Sequence, residues 1–337
     1  MVLKGYLKYY GTRIIWYLVT FICALILNFT LPRLMPGNPI ASIVASASAG
    51  VTDSSKIEQI QQQYIERFGL DKSGVEQFFI YVGNLLKGDM GTSFSQYPRT
   101  VSDIIGSSVL WTLGLQIPAI LVGWLVGNFL GCIAAYIRKG FDKVLMPIFM
   151  FISNMPAFGM ALILLYLFAI RWKISPSGGG YAFDMVPNFS WAFIWSIICH
   201  WATPFLSVVL ITIGGQAIGM RSMSIYELNA DYVKYSRFLG IKDGKIIKYV
   251  FRNAMLPQVT GLAMSFGGML SGNIIAEQVF SYPGIGTQLL SAIGNRDYPL
   301  LSGCTLIITV MVLIANLVIE ILYGFIDPRV KANQMES

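Results

Sequence analysis

Long apolar runs alternate along this chain with short polar stretches rich in basic residues. Residues 14–32, 109–137, 144–170, 191–220, 257–279 and 301–325 carry almost no charge. Each is long enough to cross a hydrocarbon core about 30 Å thick as a helix. The pattern predicts an all-α membrane protein with six spans. Residues 33–108 follow a different rule. Asp53 or Ser54 can cap a helix whose Ile57, Ile60, Tyr64 and Phe68 share one face before Gly69 stops it. Residues 75–86 form a second amphipathic stretch, and 85–94 read as a loop. A small external subdomain is therefore expected between the first two spans. The chain divides into an N-terminus and first span (1–32), that subdomain (33–108), a core of five spans (109–326) and a tail (327–337).

Proline and glycine refine the spans. Pro147 and Pro156 interrupt the third, while Gly123, Gly127 and Gly131 in the second repeat every four residues, a spacing that lets another helix approach closely. The Ala45-Ser46-Ala47 triplet resembles a signal cleavage site, but it lies far beyond the first apolar run. A retained first span is the expectation.

Composition agrees with a membrane location. Of 337 residues 55% are hydrophobic and 12% charged, where a soluble domain carries about 25% charged residues. The net charge is +7. These charges sit between apolar runs and form no single face, which argues for lipid headgroups and topology rather than nucleic acid. Fifteen of the 24 Lys and Arg fall in segments that six spans place on one side, together with both termini. That side is the cytoplasm by the positive-inside rule, so the chain is expected to be a multi-pass protein of the cell (plasma or inner) membrane. The four cysteines all lie in apolar stretches and there is one histidine. Buried thiols fit better than disulfides or a metal site.

The segment 223–257 is unusual among the polar stretches because its apolar residues keep a helical period. Ser224-x-x-Glu227 fits a capping box, with Ile225, Leu228, Tyr232, Tyr235 and Leu239 on one face. Gly240 stands where a helix needs a left-handed residue. Asp243 can cap a second helix with Ile246, Ile247, Val250, Phe251 and Ala254 on its apolar face, and Pro257 either bends or breaks it. Helix, glycine turn and helix, with basic residues on the polar sides, make a shape that fits a groove on a soluble partner.

This stretch, ADYVKYSRFLGIKDGKIIKYVFRNAMLP, resembles the coupling loop of ABC importer permeases, in the first-permease branch of the oligopeptide/dipeptide/nickel family. Further matching pieces occur in order: LPRLMPGNP (31–39), FGLD (68–71), LLKGDMGTSF (85–94), EQVFSYPGIGTQLLSAIGNRDYPLL (277–301) and IDPR (326–329). The resemblance implies a related second permease, two cytoplasmic ATP-binding subunits that dock on coupling helices, and an external substrate-binding protein. It carries coupling over to Glu227, Asp231, Gly240 and Pro257, and Tyr232 and Arg252 of the same segment are further coupling candidates. Tyr235, Phe238 and Leu239 are bulkier than the small residues usual in the family, which bears on partner choice.

No GxxxxGK[ST], HExxH or GxSxG occurs, so an enzymatic role is not expected. ATP and Mg belong to the partners, and this chain is expected to hold no cofactor or metal. Polar residues inside the spans are candidates for a substrate pathway: Glu277, Asn273 and His200 foremost, with Glu320 deeper in the last span. Two of these carboxylates would also have to serve an ion-coupled secondary transporter, the reading from another class. The expected cargo is di- or oligopeptides, ahead of oligosaccharides, with nickel disfavoured by the single histidine.

Overall fold

A computed structural model describes residues 2–49, 53–137, 139–272 and 274–326. Helices dominate: α1 (Val2–Arg33), α2 (Ala41–Ala47), α3 (Ser54–Arg67), α4 (Gly74–Leu85), α5 (Val101–Ile137), α6 (Lys139–Asn154) and α7 (Ala157–Leu164). A π-helical turn, Leu165–Arg171, continues α7. It is followed by α8 (Trp191–Leu228), α9 (Asp231–Phe238), α10 (Asp243–Gly272), α11 (Ile274–Val279), α12 (Ile285–Asn295) and α13 (Tyr298–Ile326).

Four helical stretches are long and apolar enough to cross a membrane: Arg13–Arg33, Val101–Ile137, Trp191–Leu228 and Tyr298–Val318. The pair Asp142–Asn154 and Ala157–Arg171, bent by 106°, makes a fifth if taken as one span. The bend falls at Pro156, whose ring removes an amide donor and clashes with a continuing helix, whereas Pro147 stays inside α6. The two prolines expected to interrupt this span thus act differently. The fifth expected span, 257–279, falls on α10 and α11 and is not among these candidates. The tail 327–337, including most of the IDPR motif, lies outside the described residues.

The chain forms two compact units. The first comprises Met1–Trp111 and Gly284–Leu313. Its α3 begins at Asp53, whose carboxylate accepts from the Ser55 amide at 3.0 Å, as the sequence suggests. Gly69 ends that helix region in the left-handed conformation, at φ +63°. Tyr64, Phe68 and Leu70 pack on a cluster of Ile40, Ile43, Val44, Phe94 and Tyr298. The cluster is sealed by Asp297, which is fully buried. Its carboxylate accepts from the Ser95 amide and hydroxyl, both at 2.8 Å, from the Ser93 hydroxyl at 2.5 Å, and from the Leu300 amide at 3.1 Å. Asp297 thus caps α13 and pins the 93–95 loop together.

The second unit comprises Thr112–Pro283 and Ile314–Ser337. Here the small-residue steps of α5 meet α8. A β-carbon on Gly123 would stand 3.1 Å from the Val209 carbonyl, and one on Gly127 2.8 Å from that of Ile213. On Gly131 it would collide with the Ala217 carbonyl. The partners advance by four residues as the glycines do, so α5 and α8 run parallel in register. Trp201 keeps the same register, its indole donating to the Gly114 carbonyl at 3.0 Å. The stacked pair Trp191 and Trp195 is exposed, as an aromatic belt requires. Trp201 belongs instead to this helix contact.

Because the obstacle at Gly131 is backbone, no side-chain movement can relieve it. Gly131→Val is expected to separate α5 from α8 and to destabilise the unit by about 3 kcal/mol, an overpacking cost at the upper end of the usual range. Thermal unfolding of the detergent-solubilised chain would show it, with Gly114→Ala, which meets nothing within 4 Å, as the neutral control.

Candidate functional site

The helix–turn–helix at 221–257 is built on the ends of α5 and α8. Helix α8 does not stop at Ser224; it continues to Leu228. The expected capping box therefore does not form. Ser224 is fully buried within the helix, and Glu227 is occupied differently, accepting from the Tyr232 hydroxyl at 2.8 Å. The chain breaks at Asn229 and Ala230. Ala230 is extended (φ −68°, ψ 151°) and begins α9 without a side-chain cap. Asp231 in the first turn complements the helix dipole and pairs with Lys234 at 2.9 Å.

The break resets the helical phase, and so corrects the predicted face. Val233 and Ser236 point inward, and Val233 joins Cys132, Met220, Ile246, Val250 and Ala254 in one core. Tyr235, Phe238 and Leu239 point outward at 68%, 86% and 79% exposure. The sequence period alone puts Tyr235 and Leu239 on one face with Tyr232. In place of one buried stripe, α9 has a narrow buried edge and a broad exposed apolar surface.

Gly240 closes α9 as expected. At φ +70° its amide donates to Arg237 and that of Ile241 to Ser236, both at 3.0 Å. These two bonds are the Schellman pattern, satisfying carbonyls that would otherwise be left open at the helix end. Helix α10 then buries Ile246, Val250 and Ala254, with Ile247 and Phe251 packed around them, in agreement with the predicted apolar face. Asp243 lies in the first turn of α10 rather than before it. Pro257 stays inside α10, which runs on to Gly272, so it marks no break.

Tyr232 ties these pieces together. It bonds Glu227 on α8 and the side chain of Asn253 on α10, and desolvation together with Glu227 raises its pKa to about 12. A phenol favoured in its neutral form stabilises the fold below about pH 10, the unperturbed value, and loses that contribution as pH rises through about 12. Tyr232→Phe is therefore expected to lower stability by about 1 kcal/mol at neutral pH and to flatten the loss between pH 10 and 12, checked by denaturation across that range.

Arg221, one of the basic residues of this region, proves to be an anchor. It makes a two-pronged contact with Asp142 on α6, at 2.5 and 2.6 Å. The sequence offered no signal for that pair beyond opposite charges in neighbouring polar segments. Lys234, Arg237, Lys242, Lys245, Lys248 and Arg252 are exposed along α9, α10 and the turn between them.

The pathway candidates lie elsewhere. His200, on α8, has Nδ1 2.7 Å from the Ser196 carbonyl oxygen. Glu277 is fully buried in α11. The glycine run at 178–180 lies between their helices. Gly179 donates to the Phe280 carbonyl at 2.9 Å, and a β-carbon there would stand 3.9 Å from the His200 ring. A β-carbon on Gly178 would sit 2.7 Å from the same carbonyl oxygen. Asn273 lies outside the described residues, as does the side chain of Glu320.

Helices long and apolar enough to cross a membrane define a membrane-embedded protein. Residues 127–332 match the family described as binding-protein-dependent transport system inner membrane component. The chain belongs to this family, the permeases of ABC importers, and to its peptide/dipeptide group. A Brucella ovis protein named as a peptide permease is 33% identical over 330 residues, covering 96% of this chain and 99% of the relative. The di/tripeptide transport system permease protein DppB of Pseudomonas aeruginosa is 30% identical, and the glutathione transport system permease protein GsiC of Salmonella choleraesuis 31%. Both alignments again cover 96% of this chain and 99% of the relative.

Proposed function

We propose that this chain forms half of the membrane pathway of an importer for di- and oligopeptides, working with a related second permease. An external binding protein delivers the peptide, and two cytoplasmic subunits bind ATP and Mg and dock on α9 and the start of α10. Both termini lie in the cytoplasm and the chain crosses the membrane six times. The parallel register of α5 and α8 supports this count, because the bent α6–α7 pair must then return the chain across the bilayer. The names of the relatives support peptides as cargo.

One observation carries the coupling role. Tyr235, Phe238 and Leu239 are held outward on a helix fixed at both ends, by Tyr232 and by the Gly240 turn. An exposed apolar surface on a rigid support is costly unless a partner covers it. The partner supplies the ATP chemistry; this chain transmits its movement. The test is reconstitution in proteoliposomes with the partner permease, the ATPases and the binding protein. Peptide-loaded binding protein is expected to raise ATP hydrolysis severalfold. Uptake by this chain alone, driven by an ion gradient, would contradict the reading.

A further inference from the structure

At the Arg33 end of α1, the first unit contains two adjoining cavities of about 440 and 470 Å³, with Arg33, Leu70, Gln77 and Tyr298 in the walls of both. Arg33 is the last residue of α1. Its Nε donates to Gln77 at 3.1 Å, Nη1 donates to the Phe29 carbonyl at 2.9 Å, and the guanidinium lies 3.6 Å over the Phe29 ring. A guanidinium has five N–H donors, and the others have no protein partner among the described residues. Tyr81, on α4, lines the cavity of about 440 Å³, and its hydroxyl is buried without a partner among the described residues. A positive charge and an orphaned hydroxyl in one wall call for an acceptor with several oxygens. Two carboxylates in the same lining are already engaged: Asp89 accepts from the Gly91 amide and Glu66 from Gln62.

Helix α4 explains where that acceptor would come from. One face packs on α1, with Phe78 and Tyr81 5.2 and 5.6 Å from the Phe29 ring. The other presents Val75 and Phe79 to the outside, followed by Leu86 just past the helix end, all more than two-thirds exposed. Their spacing of four and seven makes a single apolar stripe. Phe29 is one turn from the end of the candidate span Arg13–Arg33, so α4 lies where α1 leaves the hydrocarbon. Ile26, Leu27 and Leu31 near the same end of α1 are likewise exposed.

We propose that α4 is embedded in the leaflet at the Arg33 end of α1, with Val75, Phe79 and Leu86 among the acyl chains. The adjoining cavity then takes the phosphate of a phospholipid headgroup on Arg33 and Tyr81. The amphipathic helix supplies the depth, and the headgroup supplies the acceptors that Arg33 and Tyr81 lack. The site is independent of what the importer carries, so it can be tested without transport.

Two measurements on the full chain decide it. In nanodiscs, the indole of Phe79→Trp is expected to be quenched by phospholipids brominated along the acyl chain and to be shielded from aqueous iodide. In native mass spectrometry of the detergent-extracted chain, Arg33→Gln is expected to reduce retained phospholipid at least fivefold. Tyr81→Phe, which keeps the ring packing, is expected to reduce it at least twofold. Quenching by iodide alone would overturn the proposal, as would unchanged lipid retention in both cavity variants. Displacement of the retained lipid by inorganic phosphate at millimolar concentration would assign the cavity to a free anion instead. Protection of the indole from both quenchers only when a protein subunit is added would assign the stripe to a protein partner.

Discussion

Replacing Gly240 with valine is expected to abolish most ligand-stimulated ATP hydrolysis in the assembled importer while leaving the chain folded. Gly240 sits at φ +70°, and nothing lies within 4 Å of where its β-carbon would be. The cost of a side chain there is conformational, with no steric clash. A β-branched residue pays about 2 kcal/mol in the left-handed region. It escapes by leaving that region, which breaks the Gly240 and Ile241 amide bonds to Arg237 and Ser236. Helix α9 then loses its fixed angle to α10. About 2 kcal/mol against the docking geometry corresponds to a roughly thirtyfold drop in its population. Gly240→Asn should retain most of the stimulation, because asparagine tolerates the left-handed region. The measurement is ATP hydrolysis in proteoliposomes with saturating peptide-loaded binding protein. Equal loss in the valine and asparagine variants would show that something other than backbone geometry matters at this position.

The second large effect concerns Asp297. Asp297→Ala removes a fully buried acceptor and strands the Ser95 and Leu300 amides along with two serine hydroxyls. Stranded buried donors cost about 1–3 kcal/mol each, partly relieved where water enters. A net loss of about 3–5 kcal/mol in the first unit is expected, seen as a lower unfolding temperature of the solubilised chain. Asp297→Asn should fall between, since it keeps one acceptor oxygen but turns a donor toward the other donors. The damage should spare the second unit, where the indole of Trp124 donates to the Gln258 carbonyl at 2.9 Å. Fluorescence from that indole should therefore report unfolding of the second unit near the wild-type temperature.

Local patterns were well written in the sequence. The end of α3 at Gly69, the left-handed Gly240, the buried face of α10 and the close glycine steps of α5 follow from residues a few positions apart. Family membership was legible too, because several short motifs occur in one order. Phase was harder to read. Ser224 and Glu227 satisfy a capping pattern, yet α8 carries through them, with Ser224 buried against Cys132 of α5, far away in the chain. Once the break moved to Asn229 and Ala230, Tyr235 and Leu239 turned from core to surface.

Long-range polar contacts were the least visible. Asp297 reaches Ser93 and Ser95 from two hundred residues away, and Arg221 reaches Asp142 across seventy-nine positions. For Asp297 a local signal did exist. An aspartate two residues before Pro299, at the head of a long apolar run, is an N-cap signature. For the Arg33 cavity there was none, since its walls come from five separate stretches of chain.

The central claim is that the outward face of α9 docks on an ATP-hydrolysing subunit and drives this permease through it. A photoreactive phenylalanine analogue at position 238, 86% exposed in the isolated chain, tests this most directly. Irradiated in the assembled, transport-competent complex, it is expected to crosslink to the ATPase subunit in high yield, with a yield that changes between nucleotide-free and ATP-bound states. Crosslinking only to lipid or to the second permease, in a complex that still couples ATP hydrolysis to peptide uptake, would contradict the account.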